Sequence, residues 1–506
     1  MTHYILAHDL GTTGNKATLY DETGRLHAST FAAYPTDYRA GGSAEQDAED
    51  WWRAVCTTTQ HLLTTISPSQ VAGVVFSGMM QGVVALNHEA RPLRKAIIWA
   101  DQRATAQTAM LNATLGEHAI YRITGHRLSP TYSLPKIMWL RDHEPDLYRA
   151  TYRFMHVKDA IIARLTGRFV TEPSDASGMN LYDLERGTWS EVILNAAQTN
   201  RNQLPEIVPS SAVVGGVLPA AATAIGLLAG TPVIAGGGDG ACASVGAGSV
   251  APGVAYSYVG SSAWIATATT APLYDPEMRT VTFGHVIPGL VIPMGTMQAA
   301  GGAYQWTRDQ LGGLEQQVAG ALGISAYELM NTVAESSVPG ANGLLFLPYL
   351  LGERAPRWNP NARAAFLGLT MQHTRADMIR AVLEGVALNL RAILTILNGQ
   401  GADITALRVI GGGAQGRFWR QIMADVYGVP LQRLTLLEAA TSMGAAVIGG
   451  VGVGMYRDFN IAATMNPIEA LVTPDPRHAA VYAAAAELME ISYKALLPVF
   501  EHMASS

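Results

Sequence analysis

Residues 231–240 read TPVIAGGGDG, and this stretch constrains the fold more than any other. An apolar β-type run (Val233, Ile234, Ala235) feeds three glycines and then Asp239. Glycine tolerates backbone conformations and close approaches that other residues resist. Open α/β sheets bind ligands in the crevice outside the carboxyl ends of their strands. A carboxylate just beyond such an end is placed for chemistry, so Asp239 is the candidate general base. The same residues also spell a glycine-rich turn with Asp239 as a turn or N-cap residue.

A chain of 506 residues exceeds what one hydrophobic core serves and implies two large domains or more. Hydrophobic residues make up 49% and charged residues 15%, which describes a well-buried globular protein and excludes disorder. The net charge is -6 and no basic block occurs, so neither nucleic acid nor an anionic membrane is an expected partner. Two cysteines, Cys56 and Cys242, supply no disulfide framework and no zinc spacing, as expected of a cytoplasmic protein. Cys242 reads as a small packing residue. The opening MTHYILAHDL has too short an apolar run for a signal peptide and carries Asp9 within it. Residues 220–238 are broken by Pro232 and several glycines and make a poor membrane span.

Two strand–turn–strand units stand half a chain apart. Residues 4–7 and 16–20 read as strands around Asp9-Leu10-Gly11-Thr12-Thr13-Gly14. Residues 254–259 and 263–268 repeat the pattern around Gly260-Ser261-Ser262. Glycines with hydroxyls at a tight turn can form a backbone N–H nest for phosphate. No GxxxxGK[ST] occurs, so neither unit is a P-loop, and a plain hairpin fits the same residues. Facing each other, the two units would clasp a polyphosphate. A domain boundary falls near 245–255.

Residues 71–76 and 96–99 read as strands whose ends offer Gln81, Asp101 and Arg103 to one crevice. A polyhydroxylated ligand suits them; a local Asp101–Arg103 ion pair suits two of them equally. Residues 105–200 read as mostly helical. Gly301-Gly302 with Gln305 opens a helix, and 344–350 is an apolar run ending in Gly352-Glu353-Arg354. Met378, Val382, Val386, Leu390 and Ile393 predict an amphipathic core helix over 377–397, stopped by Asn398-Gly399. A strand at 407–410, then Gly411-Gly412-Gly413-Ala414, then a helix would let an adenosine lie on bare backbone. The GxGxxG spacing of dinucleotide binding is missing.

The motifs SAEQD, WADQR, LPKIMWLRDH, VKDAIIARLTG, AGGGD, FLPYLLGER, AFLGLT…DMIRAVLE and GGGAQGRFWRQIMAD together resemble the FGGY carbohydrate kinases, closest to their xylulokinase branch. The resemblance runs from residue 4 to about 455. It implies an α/β protein of two actin-like (RNase H-like) domains around an interdomain cleft. Residues 1–248 would hold sugar and base, and 249–506 the nucleotide. It also implies ATP and Mg²⁺ as cofactors, with Asp239 catalytic and Asp9 and Asp239 beside the metal. Gly11, Thr12, Thr13 and Lys16 would form one phosphate site and Gly260, Ser261 and Ser262 the other. Gly301, Gln305, Gly412, Gly413 and Ala414 would wall the nucleotide. Met80, Gln81, Asp101, Arg103, Asp239 and Gly240 would meet the sugar.

Two departures stand out. Met79-Met80-Gln81 replaces the branch's Gln-Met-His, and Gly240 replaces an Asn after the base. Both lie on the sugar side, where changed polar groups alter which hydroxyls are recognised. The expected reaction is ATP-dependent phosphorylation of a ketopentose, D-xylulose to its 5-phosphate, with another ketose or polyol as the alternative acceptor. An actin-like ATPase or a sugar-binding protein without transfer is the rival from another class. Homodimeric assembly is a further expectation.

Overall fold

The computed structural model describes residues 2–39 and 41–505. Strand Tyr4–Leu10 pairs antiparallel with Gly14–Asp21, which sets Asp9 opposite Lys16. Leu26–Ala33 continues this meander outward. On its other side Tyr4–Leu10 runs parallel to Val71–Gly78, and that strand parallel to Pro232–Gly238. These three strands are buried along nearly their whole length. That is why they read as unbroken apolar runs rather than alternating ones. Val213–Gly216 closes the six-stranded sheet antiparallel.

The second half repeats the plan. Ala255–Val259, Ala263–Thr267 and Val291–Met297 form the meander. Leu407–Ile410 and Leu431–Leu434 follow in parallel, and Ile468–Val472 closes antiparallel. Val281–Gly284 adds the seventh strand at the opposite edge. The echo between the two hydroxyl turns is therefore the start of a duplication that spans both sheets. The copies differ in chain order: the closing strand precedes its neighbour in the first sheet and follows it in the second.

Each third parallel strand leads into a helix, Asp239–Gly246 in the first half and Ala440–Gly452 in the second. The two helices cross with backbones in contact. A Cβ on Gly246 would sit 1.9 Å from the Ala440 oxygen, and one on Gly444 1.9 Å from the Cys242 oxygen. Around this crossing one apolar cluster joins Ile5, Val75 and Ile234 of the first sheet to Tyr256, Ala266 and Ile410 of the second. Gly449 lies against Val75 and Ile5, so the later helix packs on the earlier sheet. A division at 248/249 separates the sheets but not their packing.

Some elements differ from expectation. The strand at 96–99 shortens to Ala96–Ile97. The region 105–200 is helical but interrupted by short strands such as Arg153–Met155 and Tyr182–Asp183. Helix Arg375–Gly399 begins at a Thr374/Asp377 capping box and runs through Asn398 and Gly399. It is long and apolar enough to cross a membrane, yet Val382, Val386, Leu390 and Ile393 are buried in the second domain's core. The C-terminal helix Ala479–Ser505 has no counterpart in the sequence reading.

Gly444→Ala should destabilise the protein. Overpacking costs about 1–3 kcal/mol where neighbours can shift, and here the obstacle is a backbone oxygen. A denaturant-unfolding midpoint at or near that of the parent would remove the crossing from its structural role.

Candidate active site

The three glycines before Asp239 have separate local causes. Gly236 has φ +74°, and a Cβ there would meet the Phe76 oxygen at 1.9 Å, so only glycine fits. Gly237 packs on Val286 and Cys242, and Gly238 on the Met80 sulfur. None of the three needs a ligand to explain it. Cys242 is fully buried, as a packing residue should be.

Asp239 opens helix Asp239–Gly246 and is half-buried. Its Oδ1 accepts from the Gly240 N–H at 2.7 Å. Burial and the nearby Asp9 carboxylate push its pKa up to about 7, with Asp175 adding to the rise and the Gly240 bond opposing it. A base is most effective when its pKa lies near the working pH. Asp9 is also pushed up by burial, against Ser77 and Lys16. Its Oδ1 is buried without a hydrogen-bond partner. An orphaned carboxylate oxygen beside a second carboxylate is the hard oxygen donor set that Mg²⁺ takes, so these two residues fit that ion.

The two hydroxyl turns are both built by backbone. Gly11 N–H donates to Gly14 O, and Tyr34 N–H to Thr13 O. Thr12 Oγ1 accepts from Trp99 Nε1 at 2.9 Å. Lys16 Nζ reaches across to the Glu438 carbonyl at 3.5 Å. In the second turn Gly260 N–H donates to Ser262 O, while Gly301 and Gly302 N–H donate to the carbonyls of Gly260 and Ser261. A Cβ on Gly301 would lie 2.4 Å from Gly260 O, so this glycine lets the helix dock on the turn.

A cavity of about 400 Å³ opens beside that turn, lined by Gly260, Ser261, Gly301, Gln305, Gly412 and Gly413 among others. Ala414 is fully buried behind this wall. A second cavity, about 390 Å³, lies between the halves. Gln81, Trp99 and Tyr132 line it from the first, and Phe283, Gln298 and Arg354 from the second. Asp239 and Asp9 are in the lining of neither cavity, and neighbouring residues relate them to both. Gln81 is preceded by Met80, which touches Gly238 before the base; Asp9 faces Lys16; and Glu438 lines the first cavity.

Asp101 and Arg103 form the ion pair rather than a cavity wall. Asp101 is fully buried, and Arg103 Nη2 lies 2.7 Å from its Oδ2 and 2.8 Å from Glu45. The residue between them, Gln102, lines the cavity instead. Gly240 has open space at its Cβ position and no left-handed φ.

The sequence reading passed over Trp99, Tyr132, Gln298 and Arg354. Two of them sat in motifs it quoted, WADQR and FLPYLLGER, where polar character drew attention to the neighbours. It also passed over a buried charge cluster. Lys158 Nζ lies 2.6 Å from Asp159, 3.1 Å from Asp175 and 3.6 Å from Glu172. His156, Asp159 and Asp175 have ligand atoms close enough for a metal, but the Lys158 ammonium already serves as their counter-ion. The cluster reaches the residue before Asp239 through Ser174, whose Oγ accepts from Gly238 N–H at 2.9 Å and donates to Glu172 at 2.6 Å.

Residues 4–246 match the N-terminal domain of the FGGY family of carbohydrate kinases, and 255–453 its C-terminal domain. The chain belongs to this family. It is a sugar kinase. The xylulose kinase of Escherichia coli (strain K12) is 32% identical across 97% of this chain and 99% of that protein. The gluconokinase of Bacillus subtilis (strain 168) is 30% identical across 99% and 95% respectively. The crystal structure of ligand-bound xylulose kinase from Lactobacillus acidophilus superposes with a TM-score of 0.92 at 27% identity, covering 99% of this chain and all of that one.

Asp239→Asn should lower kcat by about 10²–10⁴ with KM for ATP little changed. In the parent, kcat/KM should fall roughly tenfold per pH unit below about 7, where Asp239 takes up its proton. Parent-like turnover in the Asn variant would exclude Asp239 as the base.

Proposed function

We propose that this kinase transfers the γ-phosphoryl group of ATP to the terminal hydroxyl of a ketopentose, D-xylulose, giving the 5-phosphate. The observation that carries this reading is Asp239, half-buried with its pKa pushed up to about 7, one residue past a glycine that packs on Met80 beside the cavity-lining Gln81. Asp239 accepts the hydroxyl proton. The freed oxygen bonds to the γ-phosphorus as the bond to the ADP oxygen breaks. The turns at Gly11–Thr13 and Gly260–Ser262 offer backbone N–H groups to the phosphates, and Lys16 adds its charge. Asp9 and Asp239 would hold Mg²⁺, which supplies neutralisation of phosphate charge. Gln81, Trp99, Tyr132 and Gln298 bind the sugar, and the aromatic walls exclude water.

One observation favours a second acceptor class. Among the described residues Arg354 makes no ion pair; its guanidinium lies 5.7 Å from the Trp99 ring centroid in the cavity wall. Its neighbour Glu353 accepts instead from the N–H groups of Gln298 and Arg354. A half-buried cation without an ion pair suits a carboxylated acceptor such as gluconate.

A coupled ADP-release assay over ketoses, polyols and gluconate tests both readings. D-xylulose should give the highest kcat/KM. If gluconate does, and Arg354→Met abolishes its use while sparing neutral acceptors, the carboxylate reading replaces it. ADP release that ignores every acceptor would defeat both.

Gly240→Asn fills open space with an amide beside the base. One added hydrogen bond is worth about 0.5–1.5 kcal/mol, so KM for D-xylulose should drop about two- to tenfold while KM for ATP stays put. A folded variant that uses D-xylulose no better would show the pocket is shaped for another acceptor.

A further inference from the structure

Lys136 lies in helix Ser133–His143, and its side chain is fully buried. Its Nζ donates to the carbonyls of Gln81 at 2.8 Å, Ile98 at 2.8 Å and Thr131 at 2.5 Å. An ammonium has three N–H donors, so all are used. No carboxylate lies within ion-pair distance of it among the described residues. Burial draws its pKa down to about 7, with Asp101 opposing and Arg103 adding. A charge buried without a counter-ion is expensive, and an apolar side chain would fill the same space more cheaply.

The three carbonyls share one property: each belongs to a segment of the interdomain cavity wall. Gln81 lines the cavity itself, Ile98 precedes the lining residues Trp99 and Ala100, and Thr131 lines it beside Tyr132. These segments are far apart in sequence and meet at one nitrogen. Gln81 also has φ +65°, a left-handed conformation in a non-glycine residue. Such backbone persists only where its surroundings hold it, and the Lys136 bond falls on the carbonyl of that residue. The neighbouring residue is tied as well, since Ser133 Oγ donates to Gly82 O at 2.8 Å.

We propose that Lys136 is the positioning residue of the acceptor pocket: its ammonium clamps the three first-domain segments of the wall and so sets acceptor affinity without touching the acceptor. This rests on the reading above that the interdomain cavity holds the sugar. Lys136→Met keeps an unbranched stem of similar length and removes every donor; Lys136→Gln keeps an amide with two. Gln298→Ala, which trims a cavity-lining residue on the opposite domain, reports whether the cavity binds acceptor at all.

Steady-state kinetics with D-xylulose and ATP as variable substrates decide the matter. Lys136→Met should raise KM for D-xylulose tenfold or more, with KM for ATP within twofold and kcat reduced less than KM rises; Lys136→Gln should fall between it and the parent. If Gln298→Ala raises KM for D-xylulose and folded Lys136→Met does not, the positioning role is wrong and the cavity assignment stands. If neither moves it, the cavity assignment falls and the proposal with it. A rise in KM for ATP equal to that for D-xylulose, or failure of both Lys136 variants to fold, would place Lys136 in the general stability of the domain and overturn the proposal.

Discussion

The arrangement depends on a helix crossing too close for side chains. Helices Asp239–Gly246 and Ala440–Gly452 meet where Gly246 and Gly444 each lie against the other helix's backbone oxygens. Each helix begins at the end of the third parallel strand of its own sheet. The crossing therefore registers the two strand ends against each other. It sets Asp239 on one side of the cleft and Glu438 on the other, and lets Lys16 reach from the first domain to the second. A shift of about one residue rise, 1.5 Å, would misplace every contact across the cleft.

Charge in the cleft is distributed to suit phosphoryl transfer. Asp9 and Asp239 are two carboxylates in restricted solvent; burial raises the pKa of both, and Asp9 adds to the rise at Asp239. Lys16 reaches the Glu438 carbonyl of the second domain. Behind them, Lys158 pairs with Asp159, Asp175 and Glu172, one ammonium among three buried carboxylates, and burial pushes the Asp159 pKa up to about 6. Ser174 and Glu172 then hold Gly238 in place by hydrogen bonds. The segment before Asp239 is thus held by a buried polar network, with Asp175 adding to the raised Asp239 pKa, while the Asp239 carboxylate stays half-open.

The interdomain cavity is lined from both domains, with Gln81 on the first and Gln298 on the second. Gln81 stands in a strained backbone conformation, and the residue after the base is a bare glycine with space around it. Trp99 connects this cavity to the Gly11–Gly14 turn through Thr12, and to the second domain through Arg354. The interdomain cavity and the Gly11–Gly14 turn therefore share a side chain, a direct physical route by which a change at one reaches the other.

Local chemistry was legible in the sequence because it is carried by short segments. The strand–glycine–Asp239 unit, the two hydroxyl turns and the amphipathic run at 377–397 each depend on residues close together in the chain. The family motifs extended that reading to two domains and a cleft. What the chain could not display was which distant segments meet. Asp101 and Arg103 looked as available to a sugar as to each other, and only folding turned them into an ion pair with Glu45. Arg354 read as the end of an apolar run, since its exposure to the cavity depends on a strand pairing in the second domain and a tryptophan in the first. The small-residue helix Ala440–Gly452 carries little helical signal of its own. Its place is decided by backbone contact with a helix nearly two hundred residues earlier. Pattern along the chain determines what a segment is; the closing of two sheets on one another determines what it touches, because burial and electrostatics act through space.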